Sequence, residues 1–455
     1  MTDSIRDLLR ITADRAATYL ETLDQRGVGP TPEAVARLSE LDEPLPDAPS
    51  APEHTLAVLD EIGSPATMAI SGRRFFGFVI GGSVPAALAA NWMAGAWDQN
   101  AGLRVASPIA AKLEEVALRW LLDILKLPGT AAGAFVTGAT MANFTALAAA
   151  RHAVLAKAGW DVESNGLFGA PPITVIVGAE AHPTLFRSLS MLGLGHQRVV
   201  KVPVDDQGRI IASQFPEISG PTIVCTQAGN VNSGGFDPIA EICQKAHAAG
   251  AWVHVDGAFG LWANATPNRA HLTAGVADAD SWATDAHKWL NVPYDSGLAF
   301  IRDPESLRSA LRLTAAYLPE SDTREPSQFT PELSRRARGT EVWAALRSMG
   351  RSGIADLIER NCQFATRFAE GLSAAGYTIL NDVVLNQVVV TFGNDESNKR
   401  VIAGIQQEGT CWCGPTHWRG QSAMRISISS WATTAEDVER SLAAMLEVAD
   451  EVRVP

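Results

Sequence analysis

The stretch PIAEICQKAHAAGAWVHVDGAFG (238–260) decides the fold class. It opens on Pro238 and carries apolar residues at helical spacing up to Gly250, the start and stop signals of a helix. A short apolar, β-branched run, WVHVD, follows and ends at Gly257. Similar runs stand on either side: ITVIVG (173–178), VVKVPV (199–204), TIVCTQ (222–227) and LAFIRD (298–303). Helical patterns accompany them, in LEEVALRWLLDILKLP (113–128) and MANFTALAAARHAVLAKAG (141–159). Near-continuous apolar strands alternating with helices predict an α/β fold whose largely parallel sheet is covered on both faces.

Outward from this region the pattern changes. Ile5, Leu8, Leu9, Ala13, Ala16 and Leu20 recur at helical spacing, and a Pro-rich stretch beginning at Pro30 follows. At the other end, VVLNQVVVTF (383–392) and AMRISISSWA (423–432) read as strands around a helix, SNKRVIAGIQQEG (397–409). Thr434 with Asp437 three positions on caps a closing helix. The expected division is an N-terminal helical segment over 1–70, a large α/β domain over 71–310, and a loop with a small α+β domain over 311–455.

The formal charge of -13 on 455 residues argues against a nucleic-acid partner, whose phosphates it would repel. No apolar run is long enough to span a bilayer, and the N-terminus lacks the apolar core of a secretion signal. The five cysteines are few and odd in number, without C-x-x-C spacing, which fits a reducing cytoplasm and predicts neither a disulfide framework nor a metal site. Cys411 and Cys413 fall on one strand face and read as core.

Four fragments carry chemistry. In TDAHKWLNVPYDSG (284–297), Lys288 follows His287 and is surrounded by Trp282, Trp289, Leu290 and Val292. A surface lysine is ordinarily just solvated. A desolvated one favours its neutral, nucleophilic form, which condenses with an aldehyde cofactor. In WVHVDGAFG (252–260), Asp256 stands at the carboxyl end of a strand, where ligands gather in open α/β sheets. It either caps the next helix or faces a pyridine nitrogen and keeps it protonated. In FVTGATMANFTALAAAR (135–151), Gly138, Ala139 and Thr140 lie between a strand end and a helix, a small-residue turn able to hold an anion. In GAEAHPTLF (178–186), His182 follows a strand and is either structural or stacked on a planar ring. There is no P-loop and no GxGxxG between strand and helix.

Taken in this order, the fragments resemble the pyridoxal-dependent group II decarboxylases, a family of fold-type-I enzymes that includes aromatic-L-amino-acid, histidine and glutamate decarboxylases. The likeness runs from about Phe75 to Ser430. It implies pyridoxal 5′-phosphate (PLP) as cofactor, held as a Schiff base on Lys288, with Asp256 facing the ring nitrogen. It also implies His182 stacked on the ring and Ala258 against the other face. Gly138, Ala139, Thr140 and His287 would surround the phosphate. Asp285 falls where the family often has asparagine, and Asn230 and Asn232 where it commonly has threonines near the cofactor.

By the same likeness, FFGFVIGGSVP (75–85), around Ile80, lines the substrate mouth, and RRARGTEVW (335–343) matches an arginine-rich stretch. Arg425 either binds the substrate carboxylate or forms a structural ion pair. Such enzymes are homodimers that share active sites, and DQNAGL (98–103) would be the partner's contribution. AYLPESDTREPSQFTPELSRR (316–336) reads as a mobile polar loop with three prolines. Phe329 falls near the place of a proton-donating tyrosine; Tyr317 or His182 would then supply the proton.

The implied reaction is decarboxylation of an L-amino acid to the amine and carbon dioxide. Trp92, Trp97, Trp412 and Trp418 are candidates for the wall of an aromatic pocket. The rivals are oxidative deamination to an aldehyde on the same scaffold and a non-catalytic protein that keeps the fold and binds a metabolite or partner.

Overall fold

The computed structural model describes residues 2–312 and 323–453. Tyr317 lies outside the described residues. Two compact units make up the chain: Gly81–Thr366 with Leu380–Val388, and Met1–Ile80 with Arg367–Ile379 and Val389–Pro455.

The larger unit holds a seven-stranded sheet. Its strands are β1 (Ala132–Val136), β2 (Thr174–Gly178), β3 (Val200–Val202), β4 (Thr222–Gln227), β5 (Trp252–Asp256), β6 (Ser281–Asp285) and β7 (Gly297–Ile301). The order is β1-β7-β6-β5-β4-β2-β3. The pairs among β2 to β6 are parallel, while β7 runs antiparallel to both β1 and β6. The mostly parallel α/β sheet expected from the apolar runs is therefore present. Every residue of β1, β4, β5, β6 and β7 is buried, as a sheet covered on both faces requires.

The helix Ala139–Lys157 packs across β1, β4, β5, β6 and β7. Ala142, Ala146, Ala149 and Ala150 are fully buried there, and their small side chains let the helix lie close to the strands. The sequence LEEVALRWLLDILKLP falls in the helix Pro108–Ile124, and PIAEICQKAHAAG in Ile239–Ala248. A long helix over Gly339–Ala374, broken at Gly350 (φ 62), had no counterpart in the sequence reading.

The second unit combines both ends of the chain. Its sheet has the order β10-β11-β9-β8, with β8 (Thr378–Ile379), β9 (Gln387–Thr391), β10 (Gly414–Trp418) and β11 (Gln421–Ser427). The turn from β10 to β11 places Arg419 and Gly420 at φ 50 and 81, the left-handed pair of a tight hairpin. The N-terminal helix Thr2–Thr22 belongs here too. Val28 N–H donates to Gly409 O, and Phe76 N–H to Trp412 O, so early segments hydrogen-bond late ones. Thr434 and Asp437 bond each other's backbone N–H groups reciprocally at the start of Ala435–Arg453, the expected capping box.

All five cysteines are buried and unpaired. Burial pushes the thiols of Cys243 and Cys362 up to about 12, which marks them as inert core residues. Among the described residues no helix is long and apolar enough to cross a membrane.

Asp237 pins the end of β4 in the larger unit. Its carboxylate accepts from Gln227 N–H at 2.6 Å and from Ile210 N–H at 2.8 Å. Burial nonetheless pushes the carboxyl up to about 7, outweighing the two donors that lower it. A folded-state value above the unfolded one means that the folded protein holds this proton more tightly. The contribution of Asp237 is then largest in acid and fades as pH rises toward about 7. In urea unfolding, the stability of the wild type relative to Asp237→Asn should fall between about pH 5 and pH 7. The change should be on the order of 2–3 kcal/mol. A difference that stays flat or grows would contradict this.

Candidate active site

Three strand ends meet at one edge of the large sheet. Gly297, the first residue of β7, is in register with Val136 at the end of β1 and with Asp285 at the end of β6. Asp256 ends β5 beside Gln227, the end of β4. Lys288, His287, Asp285, Asp256 and the turn at Gly138 therefore converge on the carboxyl edge of the parallel strands, as open α/β sheets favour.

Lys288 sits in the short helix Ala286–Trp289 that follows β6. Its side chain is 19% exposed, and Nζ lies 2.9 Å from Asp285 Oδ2. The sequence reading supplied the amine with apolar neighbours alone. The structure adds an anionic partner three residues earlier, so the amine rests in an ion pair. The other carboxylate oxygen, Asp285 Oδ1, is buried without a hydrogen-bond partner, as are Trp289 Nε1 and Ser296 Oγ on the same loop. Buried polar atoms left in this way call for a ligand or water.

His287 is buried, and burial lowers its imidazole below the ordinary range despite Asp285 nearby. Its Nδ1 accepts from Ser296 N–H at 3.0 Å, which assigns the ring proton to Nε2. Nε2 is 3.6 Å from Asp285 Oδ1, too far for a hydrogen bond, and so keeps its N–H to offer elsewhere. The ring stacks on Tyr294 with centroids 4.2 Å apart.

Gly138 precedes the helix Ala139–Lys157 and brings no capping side chain, so the first amide N–H groups are left for another acceptor. A Cβ at Gly138 would come 3.3 Å from His287 Cε1 and 3.6 Å from Asp285 Oδ1. The concavity between these groups thus exists because residue 138 has no side chain. The Thr140 carbonyl accepts from Ser188 Oγ at 2.9 Å, which ties this turn to the helix Pro183–Met191.

Asp256 is buried, and its two oxygens have different partners. Asn143 Nδ2 donates to Oδ2 at 3.1 Å, and Ala258 N–H donates to Oδ1 at 3.3 Å. The Ala258 carbonyl in turn accepts from Asp285 N–H at 2.9 Å, so one residue couples both carboxylates. His182 lines the same narrow crevice as Asp256, a cavity of about 10 Å³. His182 also caps the helix Pro183–Met191, Nδ1 accepting from Thr184 N–H at 3.3 Å. Its structural reading, a cap on the helix that follows the strand, is therefore what the structure shows.

Asn230 builds its own loop. Its Oδ1 accepts from Asn232 N–H at 2.8 Å and Ser233 N–H at 3.2 Å, and Nδ2 donates to Gln227 Oε1. Phe329 is buried in the apolar cluster with Val136, Leu147 and Leu307, its face under the Arg324 guanidinium at 4.4 Å. The loop that holds it is anchored: Arg335 pairs with buried Glu114, and Arg104 N–H donates to Glu325. The DQNAGL stretch belongs to the same network, Ala101 N–H donating to Arg335 O.

Ile80 and Arg425 lie in the other unit. Ile80 packs beside Leu23, Val28, Ala69 and Phe75. Arg425 is opposite Gly414 on the β10–β11 hairpin, and burial lowers its guanidinium to about 10. Trp412 stacks on Phe75 at 5.0 Å, and Trp418 is buried, while Trp92 and Trp97 are exposed. Asn143 and His254 were both inside quoted fragments and received no role. The signal available for His254 was its position two residues before Asp256, on the same strand face.

A model of the pyridoxal-dependent decarboxylase conserved domain matches residues 38–392. The chain is 25% identical, over an alignment 477 positions long, to the aromatic-L-amino-acid decarboxylase of Bacillus atrophaeus, covering 99% of this chain and 97% of that protein. It is 28% identical over 454 aligned residues to an L-2,4-diaminobutyrate decarboxylase of Rhizobium meliloti, covering 95% and 85%. Its fold matches that of Oryza sativa TDC, solved with PLP and tryptamine, with a TM-score of 0.92 at 22% identity. That match covers 99% of this chain and 98% of that one.

At this edge two glycines approach closely. A Cβ on Gly297 would fall 2.4 Å from Gly138 Cα and 2.5 Å from its carbonyl carbon, so backbone must move. Gly297→Ala should lower the unfolding free energy by about 1–3 kcal/mol and weaken PLP binding by the cofactor-free protein. Equilibrium dialysis and urea titration would measure the two effects; an unchanged affinity would show that this edge does not carry the cofactor.

Proposed function

The chain belongs to the pyridoxal-dependent decarboxylase family, and from that premise we propose that it removes the α-carboxylate of an L-amino acid, releasing the amine and carbon dioxide. The observation that carries this reading is the placement of Lys288, with its ion-pair partner, and Asp256 at one sheet edge beside an uncapped helix N-terminus.

The residues at this edge fit PLP. The side-chain-free turn at Gly138, the first N–H groups of its helix, the Thr140 hydroxyl and the His287 Nε2–H offer a cradle for phosphate. Asp285 Oδ1 is a buried oxygen still lacking a partner. When bound, PLP supplies an aldehyde that condenses with amines and a protonated ring that accepts the electron pair of a breaking Cα bond.

The chain's own groups then divide the work. Lys288 is the covalent anchor, and Asp285 Oδ2 is placed at 2.9 Å to take the proton that its ammonium must lose. Asp256 is the counter-charge for the ring nitrogen. His182 would stack on the ring and Ala258 would pack against its other face, while the Ala258 backbone couples the two carboxylates. Asn230 and Asn232 shape the loop beside the cofactor. Ile80 and Arg425 are the proposed substrate contacts, Arg425 for the carboxylate. Phe329, whose face lies under Arg324 in the apolar cluster, is the third.

Aromatic amino acids are the first substrates to test, since the named activity of the Bacillus atrophaeus relative points to them. The Rhizobium meliloti relative makes diaminobutyrate the second. Large apolar residues such as Ile5, Leu9 and Leu20 of Thr2–Thr22, and Trp92, Met93 and Trp97 of Pro85–Trp97, are exposed and support a homodimer that covers them. The buried, unpaired cysteines support a cytoplasmic setting.

Lys288→Ala should stay folded, lose the visible absorbance of bound PLP and escape labelling when PLP-loaded protein is reduced with borohydride. Wild-type protein should be labelled at Lys288 and release amine and carbon dioxide in equal amounts from its substrate. Labelling at another lysine would refute the assignment. Aldehyde and ammonia in place of amine, dependent on oxygen, would replace this reading with oxidative deamination.

A further inference from the structure

Behind Asp256 runs a line of polar side chains that reaches through the covered face of the sheet. Asn143 Nδ2 donates to Asp256 Oδ2 at 3.1 Å, and Asn143 Oδ1 lies 2.8 Å from His254 Nε2. His254 Nδ1 is 2.9 Å from Ser281 Oγ, which accepts from Trp252 Nε1–H at 2.9 Å. Asn143, His254 and Ser281 are wholly buried, and Trp252 and Asp256 nearly so. The line depends on strand register: His254 on β5 pairs with Ser281 on β6.

The direction of every bond in the line follows from its far end. An indole N–H can only donate, so Ser281 Oγ must accept from Trp252. The Ser281 hydroxyl hydrogen then has one acceptor within reach, His254 Nδ1. Burial holds His254 neutral, its imidazole lowered to about 3, so it has a single ring proton. With Nδ1 accepting, that proton is on Nε2 and points at Asn143 Oδ1. The Asn143 amide is thereby oriented with its NH2 toward Asp256. All four bonds donate toward the carboxylate. Reversing the amide would set two acceptors face to face at Asp256 and leave the Nε2 proton without a partner.

We infer that Asn143 is a positioning residue, oriented by His254, Ser281 and Trp252, that fixes the Asp256 carboxylate for its place opposite the cofactor's ring nitrogen. This rests on the reading of Asp256 given above. The line has no part in anchoring PLP covalently, and it connects to the Lys288–Asp285 pair through the Ala258 backbone. Its effect is electrostatic: a fixed amide donor favours the charged form of the carboxylate it faces, the form a protonated ring nitrogen would pair with.

The test is the affinity of cofactor-free protein for PLP as a function of pH, read by equilibrium dialysis, beside the urea unfolding of the same cofactor-free protein. The titratable groups around Asp256 are Cys225 on β4, His254 on its own strand, and Glu180, His182 and Asp237 around the crevice, with the Lys288–Asp285 pair on the neighbouring strand end. All of them remain in each variant. Asn143→Ala removes that donor. Affinity should fall roughly tenfold or more, and the acid side of the profile should move to higher pH. Trp252→Phe keeps an aromatic ring but deletes the donor that sets direction together with some ring volume, whose packing loss the unfolding curves report. It should move the acid side the same way by less, with affinity near neutral pH within a few-fold of wild type.

A role confined to stability would shift the unfolding curves and leave the acid side of the profile in place. That result in both variants, with Asp256→Asn shifting it, overturns the role of Asn143 alone. If Asp256→Asn itself leaves affinity and profile unchanged, the reading of Asp256 falls and takes this inference with it.

Discussion

The insertion of β7, running antiparallel between β1 and β6, is the constraint on which the site depends. It places Gly297 opposite Val136 on one side and Asp285 on the other. The turn leaving β1 and the loop leaving β6 are thereby brought together, although residues 136 and 285 are far apart in sequence. Only a residue without a side chain at 297 lets Gly138 pass so close, and only one at 138 leaves room beside His287 and Asp285. A parallel strand in the same place would arrive with its other end at this edge and deliver no such contact.

Given that frame, two buried carboxylates a few residues from the same edge meet different surroundings. Asp285 has a cation at 2.9 Å and one oxygen left over. Asp256 has neutral donors on both oxygens and no cation among its hydrogen-bond partners. Carboxylates placed so differently are suited to different work, one paired with a cation and the other held by neutral donors. The backbone of Ala258 binds both, through its N–H to Asp256 and its carbonyl to Asp285 N–H, so neither can shift without the other.

Much of this was legible in sequence because it is local. Strands such as TIVCTQ and WVHVD announce themselves by continuous apolar, β-branched composition, and the Thr434–Asp437 cap by spacing. β6 was harder, since SWATD is short and half polar, and it is buried only because its neighbours cover it. Lys288 was found from its apolar context, yet its ion-pair partner was not, because pairing at three residues requires the helical turn that the structure supplies. The likeness set Phe329 near the place of a proton donor, and the structure shows it in the apolar cluster under Arg324. Loop register could not be read from spacing alone. The joining of Val28 to Gly409 was also beyond reach, being a contact between distant segments with no local signature.

The polar line behind Asp256 shows what such distant contacts are for. A covered sheet face has no need of an imidazole, an amide and a hydroxyl, and apolar side chains of similar volume would pack there at no penalty for desolvation. A satisfied buried hydrogen bond adds only about 1 kcal/mol, and each becomes a liability of about 1–3 kcal/mol if one partner is lost. Stability alone therefore does not account for Asn143, His254, Ser281 and Trp252 standing in register. What four bonds of one direction do provide is a fixed dipole aimed at a carboxylate in surroundings of low dielectric, where it is little screened. Trp252 is the far end of that line, and a change there would be felt at Asp256 through hydrogen positions rather than through movement of any heavy atom.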